Sequence, residues 1–363
     1  MIRSFIIHKY LTREFSKVII NFLLIFFCLG FIMNLFEEIN FFTDIDIGMY
    51  IPIYLSALIV PSLIYEMFPF IILLSGIWFF LKIKKSKEVT AMKISGMSNL
   101  SLMLLPGILS ILIGIFFITS LNPITSLFVK KYETLKGSYE EDKEYLAAIT
   151  ENGIWIKEKN LTKNNIIRST KLQNEYLMNI TIYEFDKDND FTRRIEAKSA
   201  DISSVNWILK KVKIISSSGE ILSQNLEELS YISLYDINKI QSLYTNLDTI
   251  SFWKIANEIK LLEERGYSTK EMKTKFQKSL SFPFFLLAMV LLSGVFTLGM
   301  TFTENNFTYV IIAIISCVLI YFFNDFSAAL GRTEKLSVEV AVWMPIIIIF
   351  IFSSVGVIYA NQR

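Results

Sequence analysis

No Asp, Glu, Lys, Arg or His occurs in Val18–Phe36, Met67–Leu81, Ile94–Val129, Ser279–Thr303, Asn305–Asn324 or Val340–Gln362. A bilayer core about 30 Å thick takes about 20 helical residues, and within it every backbone N–H and C=O needs an internal partner. The runs therefore read as six membrane-spanning helices, the second extended back toward Ser62 or earlier. Hydrophobic residues make up 53% of the sequence, with 31 phenylalanines, which is more than one soluble core uses. The net charge of +2 excludes nothing by itself; its distribution is informative.

Lysine and arginine accumulate on the cytoplasmic side of membrane spans. Arg3, Lys9, Arg13 and Lys17 precede the first span, and the loop after it carries Glu37, Glu38, Asp44 and Asp46 with no Lys or Arg. The N-terminus thus reads as cytoplasmic. The first run is about 19 residues with no small-residue cleavage site, so it reads as retained rather than as a removed signal. The stretch "LKIKKSKEVTAMKISGMSNLS" (Leu81–Ser101) holds Lys82, Lys84, Lys85, Lys87 and Lys93 and independently reads as cytoplasmic. The segment from about Asn122 to Lys278 then lies outside, and three further spans return the C-terminus to the cytoplasm. Lys270, Lys273, Lys275 and Lys278 run against the bias, on the outer side just before the fourth span.

Between the two sets of spans the hydrophobic period changes to two. The segments "NGIWIKEKN" (Asn152–Asn160), "NIIRST" (Asn165–Thr170), "NITIYEF" (Asn179–Phe185), "RRIEAKSAD" (Arg193–Asp201), "NWILKKVKII" (Asn206–Ile215) and "LSYISLY" (Leu229–Tyr235) are parted by turn-formers such as "DKDND" and "SSSG". They predict an antiparallel sandwich or jelly roll of six or more strands. Phe252–Leu280 reads as a helix with Trp253, Ile255, Ile259 and Leu262 at helical spacing, a Gly266 stop and a second helix leading into the fourth span. The expected fold is an α-helical membrane protein with six transmembrane helices and an inserted extracytoplasmic all-β, jelly-roll-like domain. Its parts are a first transmembrane half (1–121), a β domain with flanking helices (122–278) and a second transmembrane half (279–363).

No G-x-x-x-x-G-K-[ST], H-E-x-x-H or G-x-S-x-G motif occurs, and the one histidine, His8, sits in the basic N-terminal segment as a solvated group. Cys28 and Cys317 lie in apolar runs, where they act as small hydrophobes. Nothing points to catalysis, a bound metal or nucleic acid. Two carboxylates fall in or near the membrane: Glu66, between Pro61 and Pro69, and Asp325. Such groups face a bundle interior or sit at the interface, and Asp325 reads as interfacial.

The lysine-rich loop has a helical pattern. Ser86 is placed to cap it, Val89, Met92 and Ile94 form an apolar stripe, and Gly96 stops it before Ser98 begins the next helix. Two readings stay open. The helix lies on the inner leaflet with its lysines on anionic headgroups, or it inserts in a groove of a cytoplasmic partner.

The order three spans, β domain, three spans, together with "SKEVTAMKISGMSNL" (Ser86–Leu100), resembles the LptF/LptG permease family and its S-E-[LI]-x-V-M-x-A-x-G-x-[ST] signature. "NGIWIKEKN", "FQKSLSFPFFLLAMVLLSGVFTLG" and "LGRTEKLSVEVAVWMP" are similar to its β-domain start, fourth span and final loop in the LptG form, so the resemblance covers the whole chain and favours LptG.

The resemblance implies a transmembrane permease subunit of an ABC transporter. Such a subunit extracts lipopolysaccharide from the outer leaflet of the inner membrane of a Gram-negative bacterium. It implies an LptF-like permease, an LptB-like ATPase dimer, LptC and a periplasmic bridge as partners, with ATP and Mg held by the ATPase and no cofactor in this chain. It makes residues 86–97 the ATPase-coupling helix, with Ser86, Glu88, Val89, Met92 and Gly96 at the signature positions. It suggests Lys130, Lys131, Lys275 and Lys278 for the lipid A phosphates, and Phe22, Phe26 and Phe31 for acyl chains. The sequence departs from the family at Asn34, where a lysine is frequent, and at Ala91 and Met92 before Lys93. Two other classes remain: a membrane-anchored β-domain scaffold without transport, and a proton-driven carrier using Glu66.

Overall fold

The computed structural model describes residues 2–43, 45, 47–139, 145–150, 153–159, 164–173, 175–186, 190–233, 235, 246–264, 269–298, 306–333 and 335–362. The chain divides into two compact units, one of Met1–Glu133, Asp248–Ile255 and Lys270–Arg363, the other of Thr134–Leu247 and Ala256–Thr269.

The first unit is a bundle of helices: α1 (Ile2–Phe41), α2 (Tyr50–Lys85), α3 (Glu88–Ile94), α4 (Asn99–Phe116) and α5 (Asn122–Lys136) before the β region, then α7 (Lys270–Leu298), α8 (Asn306–Arg332) and α9 (Val338–Gln362) after it. Among the described residues six segments are long and apolar enough to cross a membrane: Ile6–Phe41, Tyr50–Lys85, Asn99–Lys136, Lys270–Leu298, Ile314–Arg332 and Val338–Ile358. The second begins well before its charge-free run, because Tyr50–Met67 is apolar apart from Glu66. The third starts at Asn99 rather than Ile94, because Ser98 caps it by accepting from the Ser101 amide.

A widened π turn, Phe117–Leu121, joins α4 to α5. Pro123 has no N–H to give the Thr119 carbonyl four residues back; the Trp253 indole donates to that carbonyl instead, at 3.2 Å. Asn122 accepts the Phe252 amide through its side-chain oxygen at 2.7 Å. The turn therefore fixes the start of α6 (Phe252–Glu264). Phe117 is packed between Phe68, Tyr65 and Phe282, with ring centroids 4.1, 6.1 and 6.3 Å away.

Helix α7 is the centre of the bundle, its most apolar stretch 78% buried against 17% for α1 and 18% for α8. Small residues permit this. A methyl group on Gly76 would lie 2.1 Å from Ser293 Oγ, one on Gly114 2.7 Å from Pro283 Cα, and one on Gly356 2.4 Å from Val295. Backbones this close gain dispersion contact, which lipid-facing leucines do not supply in excess of lipid itself.

Among the described residues the second unit carries eight strands: β1 (Tyr145–Thr150), β2 (Gly153–Lys159), β3 (Asn164–Ser169), β4 (Lys171–Gln173), β5 (Tyr176–Phe185), β6 (Phe191–Asp201), β7 (Asn206–Ser216) and β8 (Ile221–Ile232). They form one antiparallel sheet in the order β1-β2-β3-β5-β6-β7-β8, with β4 on β5. The expected inserted β domain is present, as a single continuous sheet. β1, β4 and the first half of β8 have no expected counterpart, because "YLAAIT" and "ILSQNLEE" do not alternate cleanly. Gly266 lies outside the described residues.

One face of the sheet is apolar, with Ile154, Ile156, Ile167, Ile182, Ile195, Leu209 and Val212 nearly inaccessible around Trp207. The left-handed residues Asn179 and Lys211 (φ 48° and 55°) are passed over in the ladder and kink their strands. The sheet curls until Tyr231 of β8 reaches β3 and Ser233, just after β8, reaches β2. Glu158, 2% exposed, accepts from Ser233 Oγ and, at 3.4 Å, from the Tyr231 hydroxyl, which itself receives Asn165 Nδ2 at 2.7 Å. The Trp207 indole donates to the Tyr235 carbonyl at 2.7 Å. Burial, reinforced by the Glu158 and Glu184 carboxylates, holds the Tyr231 phenol well above its ordinary range, so it stays a donor.

Replacing Gly76 by Val inserts a branched three-carbon side chain where a single methyl group already collides. The expected loss is about 1–3 kcal/mol of stability, read as a lower thermal midpoint in detergent. Adding Ser293→Gly, which removes the colliding atoms, restores most of it; an unchanged midpoint for Gly76→Val would contradict the packing.

Candidate functional site

Two groups of residues concentrate the polar chemistry of the helical unit. The first is α3 and its surroundings. Ser86 does not cap α3, contrary to expectation. It ends α2, its hydroxyl donating to the Lys82 and Ile83 carbonyls at 3.1 and 3.3 Å, and the N-cap position of α3 is Lys87, with no side-chain cap bond. Lys87 makes the joint between α2 and α3 in a left-handed conformation, φ 59°, which L residues seldom adopt. The helix spans Glu88–Ile94 rather than 86–97. Glu88 in its first turn suits the positive N-terminal end of the helix dipole.

Gly96, φ +88°, ends α3 as expected. The Gly96 amide donates to Lys93 and the Met97 amide to Met92, at 2.9 and 3.1 Å, the reciprocal pair of a left-handed glycine stop. The apolar stripe divides. Val89 and Met92 turn inward and join the bundle core, whereas Ile94 is 83% exposed. A seven-residue helix cannot place positions 89, 92 and 94 on one side, because the step from 92 to 94 turns about 200°. Its outward face therefore consists of Thr90, Ala91, Lys93 and Ile94.

Around α3 the chain ties its ends together. Glu88 Oε1 accepts from the Tyr10 hydroxyl at 3.2 Å, and Glu14 accepts from Lys17 and Lys82 at 2.6 and 2.7 Å. Lys84 donates to the Thr297 carbonyl at 2.7 Å, a cation at the C-terminal end of α7. Tyr10 had no signal in the sequence, since nothing periodic connects position 10 to position 88.

The second group is at the end of the bundle where the chain leaves for the β unit and returns. Lys275 pairs with Asp248 at 2.8 Å and Lys278 with Asp325 at 3.2 Å. Glu66 lies within electrostatic reach of all four. Lys130 is exposed, and Lys131 stands over the Tyr54 ring, 5.3 Å from its centroid. Glu38, fully buried, accepts from the Tyr132 hydroxyl at 2.6 Å, and Asn34 beside it is 7% exposed. The four expected lysines thus occur at one end of the bundle, but two of them already hold carboxylates.

Phe22, Phe26 and Phe31 do not form an open face. Each is half-buried against the bundle core, Phe22 edge-on to Trp78 and Phe26 edge-on to Phe70, at 6.4 and 5.5 Å. The exposed side of α1 carries Ile20, Leu24, Ile32, Met33 and Phe36 instead. Among the described residues no three His, Cys, Asp or Glu side chains come together as a metal set.

Six candidate spans, an inserted antiparallel β unit and a short helix between spans two and three define a helical membrane protein with an inserted β domain. The family described as lipopolysaccharide export system permease LptF/LptG matches residues 9–359. The chain belongs to that family and is a permease of lipopolysaccharide export. No curated protein matches it.

The Lys278–Asp325 pair is half-exposed, with side chains 33% and 50% accessible, and exposed pairs contribute little. A cycle of Lys278→Gln, Asp325→Asn and the double variant should give a coupling below about 1 kcal/mol by thermal unfolding. A larger value would make the pair a structural clamp.

Proposed function

We propose that this chain is the LptG-type permease subunit of an ABC transporter, extracting lipopolysaccharide from the outer leaflet of the inner membrane and passing it to a periplasmic bridge. The observation that carries this reading is α3. It is a short helix fixed at both ends between two spans, with a carboxylate in its first turn and an outward face of Lys93, Ile94 and Ala91. A partner ATPase holding ATP and Mg supplies the energy, and an arginine on it would pair with Glu88. The basic loop, with the N-terminal segment, belongs in the cytoplasm; the β unit belongs in the periplasm.

A second, related permease faces this one, and α1 and α8, the least buried spans, line the space between them. Acyl chains then meet Leu24, Ile32 and Phe36 of α1 more than Phe22 or Phe26. Lys130, Lys131, Lys275 and Lys278 receive the lipid A phosphates. For Lys275 and Lys278 the phosphate replaces Asp248 or Asp325, an exchange of one anion for another that leaves no cation bare. The β unit hands the lipid to LptC and the bridge, its outer strands pairing with theirs.

Co-purification from membranes with LptB-like and LptF-like partners tests the reading. Wild type should retain the ATPase, and Glu88→Arg should lose it by about tenfold or more, since like charges across an interface repel. Wild type that retains no ATPase would replace the transporter by a membrane-anchored β-domain scaffold. Changing Lys130 and Lys131 together to Gln should weaken binding of lipopolysaccharide but not of a dephosphorylated form, with the difference shrinking in high salt. Equal loss for both forms would remove the phosphate assignment.

A further inference from the structure

Three features converge on the N-terminal end of α1. The Tyr10 hydroxyl donates to Glu88 Oε1 at 3.2 Å, across 78 positions of sequence. The other Glu88 oxygen is shielded from water and has no hydrogen-bond partner among the described residues, so the Tyr10 bond is what orients this carboxylate. About one turn along α1, Glu14 binds Lys82 of α2 at 2.7 Å. Leu11 and Phe15, 1% and 0% exposed, belong to the same apolar core as Val89 and Met92, and the Phe15 ring lies 5.3 Å from that of Phe79.

The connections of α3 to its neighbours differ in kind. To α2 it is joined through the single left-handed residue Lys87, a joint that concentrates bending in one place. To α1 it is joined by a side-chain hydrogen bond.

Helix α1 itself is suited to carry a displacement. It runs for 40 residues, about 60 Å at 1.5 Å per residue, with no proline. By contrast α2, α4, α7 and α9 each contain at least one internal proline, where a missing hydrogen bond allows a kink. Only 17% of its most apolar stretch is buried, and its main packed neighbour is α2. At its far end the buried Glu38 holds Tyr132 of α5.

We infer that Tyr10 is a positioning residue that ties α3 to the first span, so that displacement of α3 by a docked ATPase passes directly into α1. This rests on the ATPase-docking reading of α3. Tyr10 touches neither nucleotide nor lipid; it acts through Glu88.

The test compares wild type with Tyr10→Phe, which keeps the ring and removes only the donor, in vesicles containing the companion permease and the ATPase. Three quantities are read: ATPase retained, lipopolysaccharide released per ATP hydrolysed, and hydrogen exchange along α1 when the ATPase binds. The expected result is retention within about twofold of wild type and lipid released per ATP lower by about fivefold, the equivalent of one lost hydrogen bond. The exchange change that reaches α1 in wild type should stop at α3 in the variant. An unchanged release per ATP overturns the inference. So does a parallel loss of retention and release, which marks Tyr10 as a structural support only. Wild type that retains no ATPase is a different outcome: it removes the docking reading, and this inference with it.

Discussion

Close backbone approach at α7 is the constraint on which the helical unit depends. In lipid, leucine and phenylalanine are as well solvated by acyl chains as by one another, so helices associate only where small residues let backbones meet. Gly76 against Ser293, Gly114 against Pro283 and Gly356 against Val295 provide those meetings, and they draw α2, α4 and α9 onto α7. The remaining spans are then peripheral. α1 and α8 have no proline and bury the least surface, which leaves them as the elements with freedom to shift.

The β unit solves a different problem with a different interaction. A single sheet with one apolar face has to cover that face by curling, and the curl must be fastened. Glu158, Ser233, Tyr231 and Asn165 do this across strands far apart in the sheet order. A buried carboxylate is costly unless each oxygen finds donors, and here two hydroxyls supply them, one being a phenol that burial keeps protonated. The network thus specifies how far the sheet rolls.

Several charges of the helical unit are compensated locally. Glu14 takes Lys17 and Lys82, Lys275 takes Asp248, and Lys278 takes Asp325. Lys275 and Lys278, which the sequence reading set against the usual inside bias, are therefore not simply an exposed positive surface: each holds a resident anion. The same economy governs α3, whose Val89 and Met92 serve the bundle core while its remaining face stays outward.

Six spans, the inserted β region and the Gly96 and Ser98 boundaries of the loop were readable in the sequence, because hydrophobic runs, alternation and left-handed glycine are local properties. The family resemblance rested on the same local signals in order, and the match over residues 9–359 agrees with it. What sequence reading misplaced also has local causes. Ser86 looked like a cap, but its hydroxyl turned back to the helix it follows. Phe22 and Phe26, which the resemblance suggested for acyl chains, pack against Trp78 and Phe70, since a phenylalanine-rich span does not state which side its neighbour takes. The partners of Glu88, Glu158, Lys275 and Lys278 were decided only by the tertiary structure. Each pairing joins positions with no periodic relation in the chain, and only the packing of separate elements sets which charges come within hydrogen-bonding distance.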